Sequence, residues 1–381
     1  MTDPIDALLQ RRVIVCVGSG GVGKTTVAAA LALRAAAAGR RAIVLTIDPA
    51  KRLANALGLE QLGNVETRVD DERLRRAGIE TEGELWAMML DLKRSWDDFI
   101  GRHVSPDKRE AILQNRFYQT LSSALAGSQE YIATEKLYEL YSEGKYDLLV
   151  LDTPPTAHAL DFLEAPRRIL DFLESSSVRA MAGPAMAAGK LGLKLMSFGG
   201  SLAGRALSKL TGAETLEELV RFMLEIQDTY GVFKDRAAKV KALFGSDETA
   251  FFVVTSAQAS AIDEAIYFHH LLAEERIPIA GVVANRIHRD FLGDSPLPSR
   301  QDLAEALSSA GVRDTGDPPL SERLARTSAE ARAMARLDRR NLERLEAATR
   351  RSPQLRVPSF DADVYDLPGL WAVDRHLFPA R

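Results

Sequence analysis

The chain has 381 residues, of which 46% are hydrophobic and 27% charged, with a formal net charge of −4. That length holds one large α/β domain with an insertion, or two domains, and the balance excludes a broadly basic nucleic-acid binder. A single cysteine, Cys16, excludes an intrachain disulfide framework and any CxxC metal knuckle.

In chain order, "MTDPIDALLQRR" has no apolar stretch of signal-peptide type, and no apolar run approaches the length of a membrane span. The expectation is a soluble cytoplasmic protein without an integral membrane segment. "RRVIVCVG" is a short, β-branched, continuous run, the pattern of a strand covered on both faces in a parallel sheet. Cys16 lies in it and is assigned to core packing. "KTTVAAALALRAAAAG" follows, rich in helix formers and closed by Gly39. "RRAIVLTID", "ELWAMMLDL", "YDLLVLDT", "TAFFVVTSA" and "IAGVVANR" read as further strands. Strands alternating with helical stretches predict a doubly wound, mainly parallel sheet flanked by helices. Two helical regions, at about 95–125 and 167–243, interrupt the alternation. They predict a helical subdomain inserted into a single domain spanning 1–381. Residues 293–319 are rich in Pro, Gly, Asp and Ser and include an exposed loop. "LSERLARTSAEARAMARLDRRNLERLEAATRR" is a charged amphipathic helix.

The motif that carries chemistry is "GSGGVGKT", with Gly18, Gly23, Lys24 and Thr25 in the spacing G-x-x-x-x-G-K-[ST]. It sits between a buried strand and a helix, where a phosphate-binding loop belongs. Backbone N–H groups of Gly20, Gly21, Val22, Gly23, Lys24, Thr25 and Thr26 can curl around phosphate oxygens, and the helix N-terminus adds positive potential. Lys24 is expected to reach the β- and γ-phosphates of ATP, and Thr25 to bind Mg²⁺. Asp152 closes a buried strand, the place of a carboxylate that holds Mg²⁺ through its water shell. Asp48 closes another; it either orients the attacking water or caps the helix before Leu53.

These motifs resemble the arsenical-pump and guided-entry ATPase family, of the deviant-Walker P-loop class. "DPAKRLANALG" and "DTPPTAHALDFLEAP" are similar to its switch I and switch II, the latter reading D-T-A-P-T-G-H in the family. "AGSQEYIATEKLYEL" resembles a segment written P-G-x-x-E, through Gly127 and Glu130, with Ala126 in place of the proline. "VVANR" resembles the adenine-reading strand end, with Asn285 in the reading position, and "VPSFDADVYDLPGL" the late loop that closes over the base. The resemblance implies a P-loop NTPase fold with an inserted α-helical subdomain. It also implies a homodimer, or a heterodimer with a related subunit, closing on two nucleotides. In guided-entry members closure shapes a hydrophobic groove for a tail anchor. Metalloid binding by cysteines and a CxxC zinc clasp are both inconsistent with the lone Cys16.

One departure concerns the loop itself. The family reads K-G-G-x-G-K-T, and Ser19 stands where the first lysine would be. Lys51 and Arg52, just after Asp48, are the nearest cations in sequence that could take its place.

Between Ser175 and Gly212, Val178, Met181, Ala182, Ala185 and Met186 follow helical spacing, and Met181, Met186, Met196 and Met223 supply flexible thioethers. The stripe is either a client surface or subdomain core. His269 and His270 are ordinary helix residues in this reading. The leading expectation is a dimeric Mg-dependent ATPase whose nucleotide state controls an apolar protein client, such as a tail-anchored membrane segment. The alternatives are an ATP-regulated stress holdase or assembly factor, and an ATP-dependent metabolic enzyme.

Overall fold

The computed structural model describes residues 8–48, 51–124, 128–154, 164–165, 168, 171, 213–226 and 229–379. Eight strands among them form one sheet: β1 (Val13–Val17), β2 (Arg41–Thr46), β3 (Thr67–Arg68), β4 (Glu84–Met89), β5 (Leu148–Asp152), β6 (Thr249–Ser256), β7 (Ile279–Ile287) and β8 (Gln354–Pro358). Their spatial order is β3-β4-β2-β5-β1-β6-β7-β8. Every pairing is parallel except β3 with β4. This is the α/β architecture of P-loop NTPases.

The strand sequences explain the burial. Alternate residues of a strand point to opposite faces, and here both faces are covered. Ile14, Cys16, Val44, Val150, Phe252 and Val254 join one core cluster. Val13, Val15, Val17, Leu45, Leu151 and Phe251 join another. Helix α1 (Lys24–Ala37) covers the first face. Its alanines bring it close to the strands, and Ala28 through Ala36 are almost all fully buried. The second face is covered by α7 (Ser128–Glu143), α10 (Ala259–Glu274) and α12 (Leu320–Ala348), through Leu137, Phe268 and Leu345 among others.

The remaining helices are α2 (Arg52–Ala56), α3 (Asp71–Arg76), α4 (Leu92–His103), α5 (Pro106–Gln114), α6 (Arg116–Ala124), α8 (Ala213–Ile226), α9 (Tyr230–Phe244), α11 (Arg300–Ser309) and α13 (Leu367–Leu377). The helical region expected at about 95–125 holds three helices within the described residues 92–124. Pro106 starts α5, where a missing N–H costs nothing, and Asn115 separates α5 from α6. These helices meet α7, α8 and α9 in a third cluster, separate from the sheet. It is aromatic: Trp96 stacks on Tyr131 at 5.3 Å, and Phe99 lies 4.7 Å from Phe233.

Met223 belongs to this third cluster and is buried. Its thioether is core, the second of the two readings open for that methionine group; it lies on a strongly amphipathic helix whose apolar face turns inward. Val178, Met181, Ala182, Ala185, Met186 and Met196 lie outside the described residues, as do Gly127, Ala126 and His158. Residues 293–319 hold α11, a ten-residue helix with a Ser299–Asp302 capping box and no buried residue. "VPSFDADVYDLPGL" begins as strand: Val357 and Pro358 end β8, which closes the sheet edge beside β7.

Candidate phosphate-binding site

The site forms where the winding of the sheet reverses. β1 lies at the centre, between β5 and β6, and the chain leaves its carboxyl end into Gly18–Gly23 before entering α1. Ligands of open parallel sheets bind at this place. Two glycines are required by geometry. A Cβ on Gly18, at φ +151°, would lie 2.0 Å from the Val254 carbonyl oxygen, so the loop can cross β6 only without a side chain. A Cβ on Gly23, at φ +97°, would lie 2.2 Å from Asn285 Nδ2.

Lys24 is buried, and its Nζ donates to the carbonyl oxygens of Gly18 and Ser19, both at 2.9 Å. The ammonium thus folds back over the loop. Burial lowers its pKa from the ordinary lysine value, an effect opposed by nearby Asp152. Thr25 Oγ1 donates to Asp152 Oδ2 at 2.7 Å, and Thr46 Oγ1 donates to the same oxygen at 2.8 Å. Asp152 Oδ1 is buried without a hydrogen-bond partner. Burial pushes the Asp152 carboxyl up to about 6, against the lowering effect of the two hydroxyls and Lys24. A buried carboxylate oxygen with no donor is costly unless a cation or water completes it.

The donor set fits Mg²⁺ on that observation. Thr25 spends its proton on Asp152, which leaves its oxygen lone pairs free for a hard cation. Thr25 would hold the ion directly and Asp152 through its water shell, and the ion would neutralise charge on the β- and γ-phosphates.

A cleft of about 680 Å³ opens here. Gly21, Gly23, Lys24, Thr25, Thr26, Asp48, Asp152 and Asn285 all line it. Of the residues expected in the site, Gly20 and Val22 instead face a second cleft, of about 750 Å³, across the loop. Asp48 does not cap α2: the cap position is Lys51, with no side-chain hydrogen bond. Arg52 lines the first cleft and Lys51 does not. Asn285 is buried, donating from Nδ2 to the Val22 carbonyl at 2.9 Å and accepting at Oδ1 from the Arg286 N–H at 2.9 Å. Its amide therefore braces the loop from the end of β7. The late loop forms the far wall, through Pro358, Ser359, Phe360, Asp363 and Tyr365.

Two participants escaped the sequence reading. Thr46 sits two residues before Asp48 in "LTID", and only a parallel register pairing Thr46 with Asp152 brings them together. Arg286 follows Asn285 directly, yet nothing in "VVANR" says that its guanidinium returns to the loop, where Nη1 donates to the Gly21 carbonyl at 3.1 Å. His269, in contrast, is a buried helix residue bonded to Ser352 Oγ at 2.8 Å, away from the cleft.

A glycine-lined loop at the head of a central parallel strand, a lysine folded over it, and a threonine–aspartate pair beneath it define a P-loop nucleotide-binding protein. The sequence model of the Anion-transporting ATPase family matches residues 11–296, and the chain belongs to that family. It is an ATP hydrolase by that membership. Among its relatives, ATPase GET3C of Arabidopsis thaliana is 26% identical over 287 residues, covering 73% of this chain and 67% of the relative. ATPase get3 of Aspergillus terreus is 26% identical over 273 residues, 71% of each chain. ATPase ARSA1 of Chlamydomonas reinhardtii is 26% identical over 341 residues, 83% of this chain, which spans only 40% of that relative.

Proposed function

We propose that this chain is a Mg-dependent ATPase that works as a dimer and uses its nucleotide state to control binding of an apolar protein client. The observation that carries the nucleotide part is the Thr25–Asp152–Thr46 arrangement, with Asp152 Oδ1 buried and unpartnered beside a glycine-lined cleft. Lys24 serves the β- and γ-phosphates, Thr25 and Asp152 the metal, and Asp48 the attacking water. The backbone of Gly20 through Thr26 cradles the phosphates, and Asn285 reads adenine with the part of its amide not engaged by the loop.

The client part is supported by relatives named GET3 ATPases and by a helical layer built around its own aromatic cluster. In this reading that layer is a subdomain inserted into a single domain at about 95–125 and 167–243, and tail-anchored segments are the client class. No helix of the described residues is long and apolar enough to cross a membrane. A cytoplasmic place of action is part of the proposal. So is a partner that is a second copy or a related subunit.

Lys24→Ala tests the core of this reading. Turnover should fall to background and ATP affinity by on the order of 100-fold or more, because the buried ammonium is the loop's only charged side chain. Wild-type turnover in the variant would sink the assignment. The same preparations, mixed with a fluorescent tail-anchor peptide, should show peptide binding that responds to ATP in the wild type and not in Lys24→Ala. Peptide binding indifferent to nucleotide in the wild type would refute the client part alone.

A further inference from the structure

The charge on the phosphate side of the cleft is thinner than its cargo demands. A nucleoside triphosphate brings several negative charges to a loop with one charged side chain, Lys24. Ser19 adds none, and its Oγ is buried without a partner. Among the described residues, the other cationic side chains lining the nucleotide cleft are Arg52 and Arg286. They are placed differently. Arg52 opens the short helix α2, outside the loop. Arg286 is fastened to the loop itself.

The fastening has three parts. The Asn285 amide holds Val22. Gly23 admits that amide only because it has no Cβ. The next residue, Arg286, donates to the Gly21 carbonyl at 3.1 Å. Arg286 takes up this position at φ +57°, a left-handed backbone that non-glycine residues rarely adopt. The side chain is exposed and lines both the nucleotide cleft and the cleft across the loop.

Lys24 and Arg286 share a further property. Both rest on loop carbonyls, Lys24 on Gly18 and Ser19 and Arg286 on Gly21. A carbonyl is a weaker acceptor for a charged donor than a phosphate oxygen. Two cations are thus parked on carbonyls of one glycine turn, acceptors that an arriving phosphate would outcompete. Arginine suits the role, because its planar fork stays charged and can bind two phosphate oxygens at once.

We infer that Arg286 is a phosphate-contacting catalytic residue, supplying from β7 of the same subunit the second cation that the loop lacks at Ser19. This rests on the nucleotide reading proposed above. Arg286 moves from the Gly21 carbonyl to the β/γ-phosphate bridge, where negative charge grows as the γ-phosphoryl group leaves. Lys51 and Arg52 are then not the replacement.

The test compares wild type, Arg286→Asn, Arg286→Lys and Arg52→Ala. Asparagine tolerates the left-handed backbone and so removes the charge without forcing β7 to rearrange; an unchanged Tm checks this. Turnover at saturating Mg-ATP should fall by about 100-fold or more in Arg286→Asn, the scale of losing one preorganised charged donor. Affinity for ATP should fall more than affinity for ADP. Arg286→Lys keeps the charge without the fork and should lie between, which serves as a second variant if the asparagine form melts. Arg52→Ala, which removes a cleft cation not held by the loop, should lose clearly less turnover than Arg286→Asn. Turnover preserved in Arg286→Asn overturns the inference, as does an equal loss of ATP and ADP affinity with kcat unchanged, which would make Arg286 a loop brace. A large turnover loss confined to Arg52→Ala overturns it too. A wild-type protein that binds no ATP would instead overturn the nucleotide reading beneath it.

Discussion

Asp152 is where a single proton matters most. Its folded-state pKa, about 6, lies above the ordinary carboxylate value because burial outweighs two hydroxyl donors and Lys24. A raised carboxyl pKa stabilises the fold fully at low pH, and that contribution is lost as pH rises from about 4 through about 6. Metal-free protein should therefore lose stability over this window relative to Asp152→Asn, which has no proton to release. Thermal melts of both forms at pH 4.5 and 6.5 check it; parallel curves would remove Asp152 as the cause. Mg²⁺ has the opposite sign, since it competes with the proton. Its affinity in the presence of ATP should rise up to about tenfold per pH unit below 6 and level off above. Asp152→Asn separates this slope from titration of the nucleotide's own phosphates. Lys24, Thr25 and Asp152 were legible in the sequence because strand, loop and helix around them have strong local patterns. Thr46 and Arg286 were not. One depends on the register between β2 and β5, the other on a left-handed residue at the end of β7, and neither leaves a local trace.

At the scale of elements, α1 and α13 form one unit. Arg34 of α1 donates from Nε and Nη2 to Asp374 of α13, at 2.8 and 2.5 Å. Its guanidinium lies over Trp371 and Phe378, with ring centroids at 5.2 and 5.3 Å. The Asp374 side chain is wholly buried, so removing one partner strands a charge. Asp374→Ala should destabilise the protein by about 3 kcal/mol, near the lower range for a broken buried pair, because Arg34 keeps some access to water. It should also weaken ATP binding, since α13 follows the loop that forms the far wall of the cleft. Urea unfolding checks the first effect and nucleotide titration the second; unchanged values in both would leave the pair without a structural role. The core strands announced themselves by continuous apolar runs. β3 did not, being two residues long and antiparallel at a sheet edge, and β8 did not, because Gln354 and Arg356 break its apolar pattern and Pro358 ends it. The three helices of 92–124 read as one region because α4 and α6 are both strongly amphipathic, and only Pro106 and Asn115 mark the joints around α5.

At the scale of the molecule, two subunits meet over the nucleotide in the proposed dimer, and a homodimer is the form this chain can show alone. Sedimentation or light scattering with ADP, then with ATP and Lys24→Ala in parallel, should show a compact dimer favoured by ATP in the wild type. A monomer under every condition would defeat the homodimer, leaving the hydrolase and a related-subunit partner intact. The class of the sheet and the position of the loop could be anticipated from the order of buried runs. The separate aromatic cluster could not, because it depends on which helix face meets which. The docking of α13 on α1 also orders events in time. A ribosome makes Asp374 340 residues after Arg34. The glycine loop, its lysine and both metal-side residues are complete long before the wall that encloses the nucleotide. A nascent chain would thus carry a phosphate grip without a closed pocket, and α13, emerging well after that grip, would act as the latch that turns a half-built ATPase into a working one.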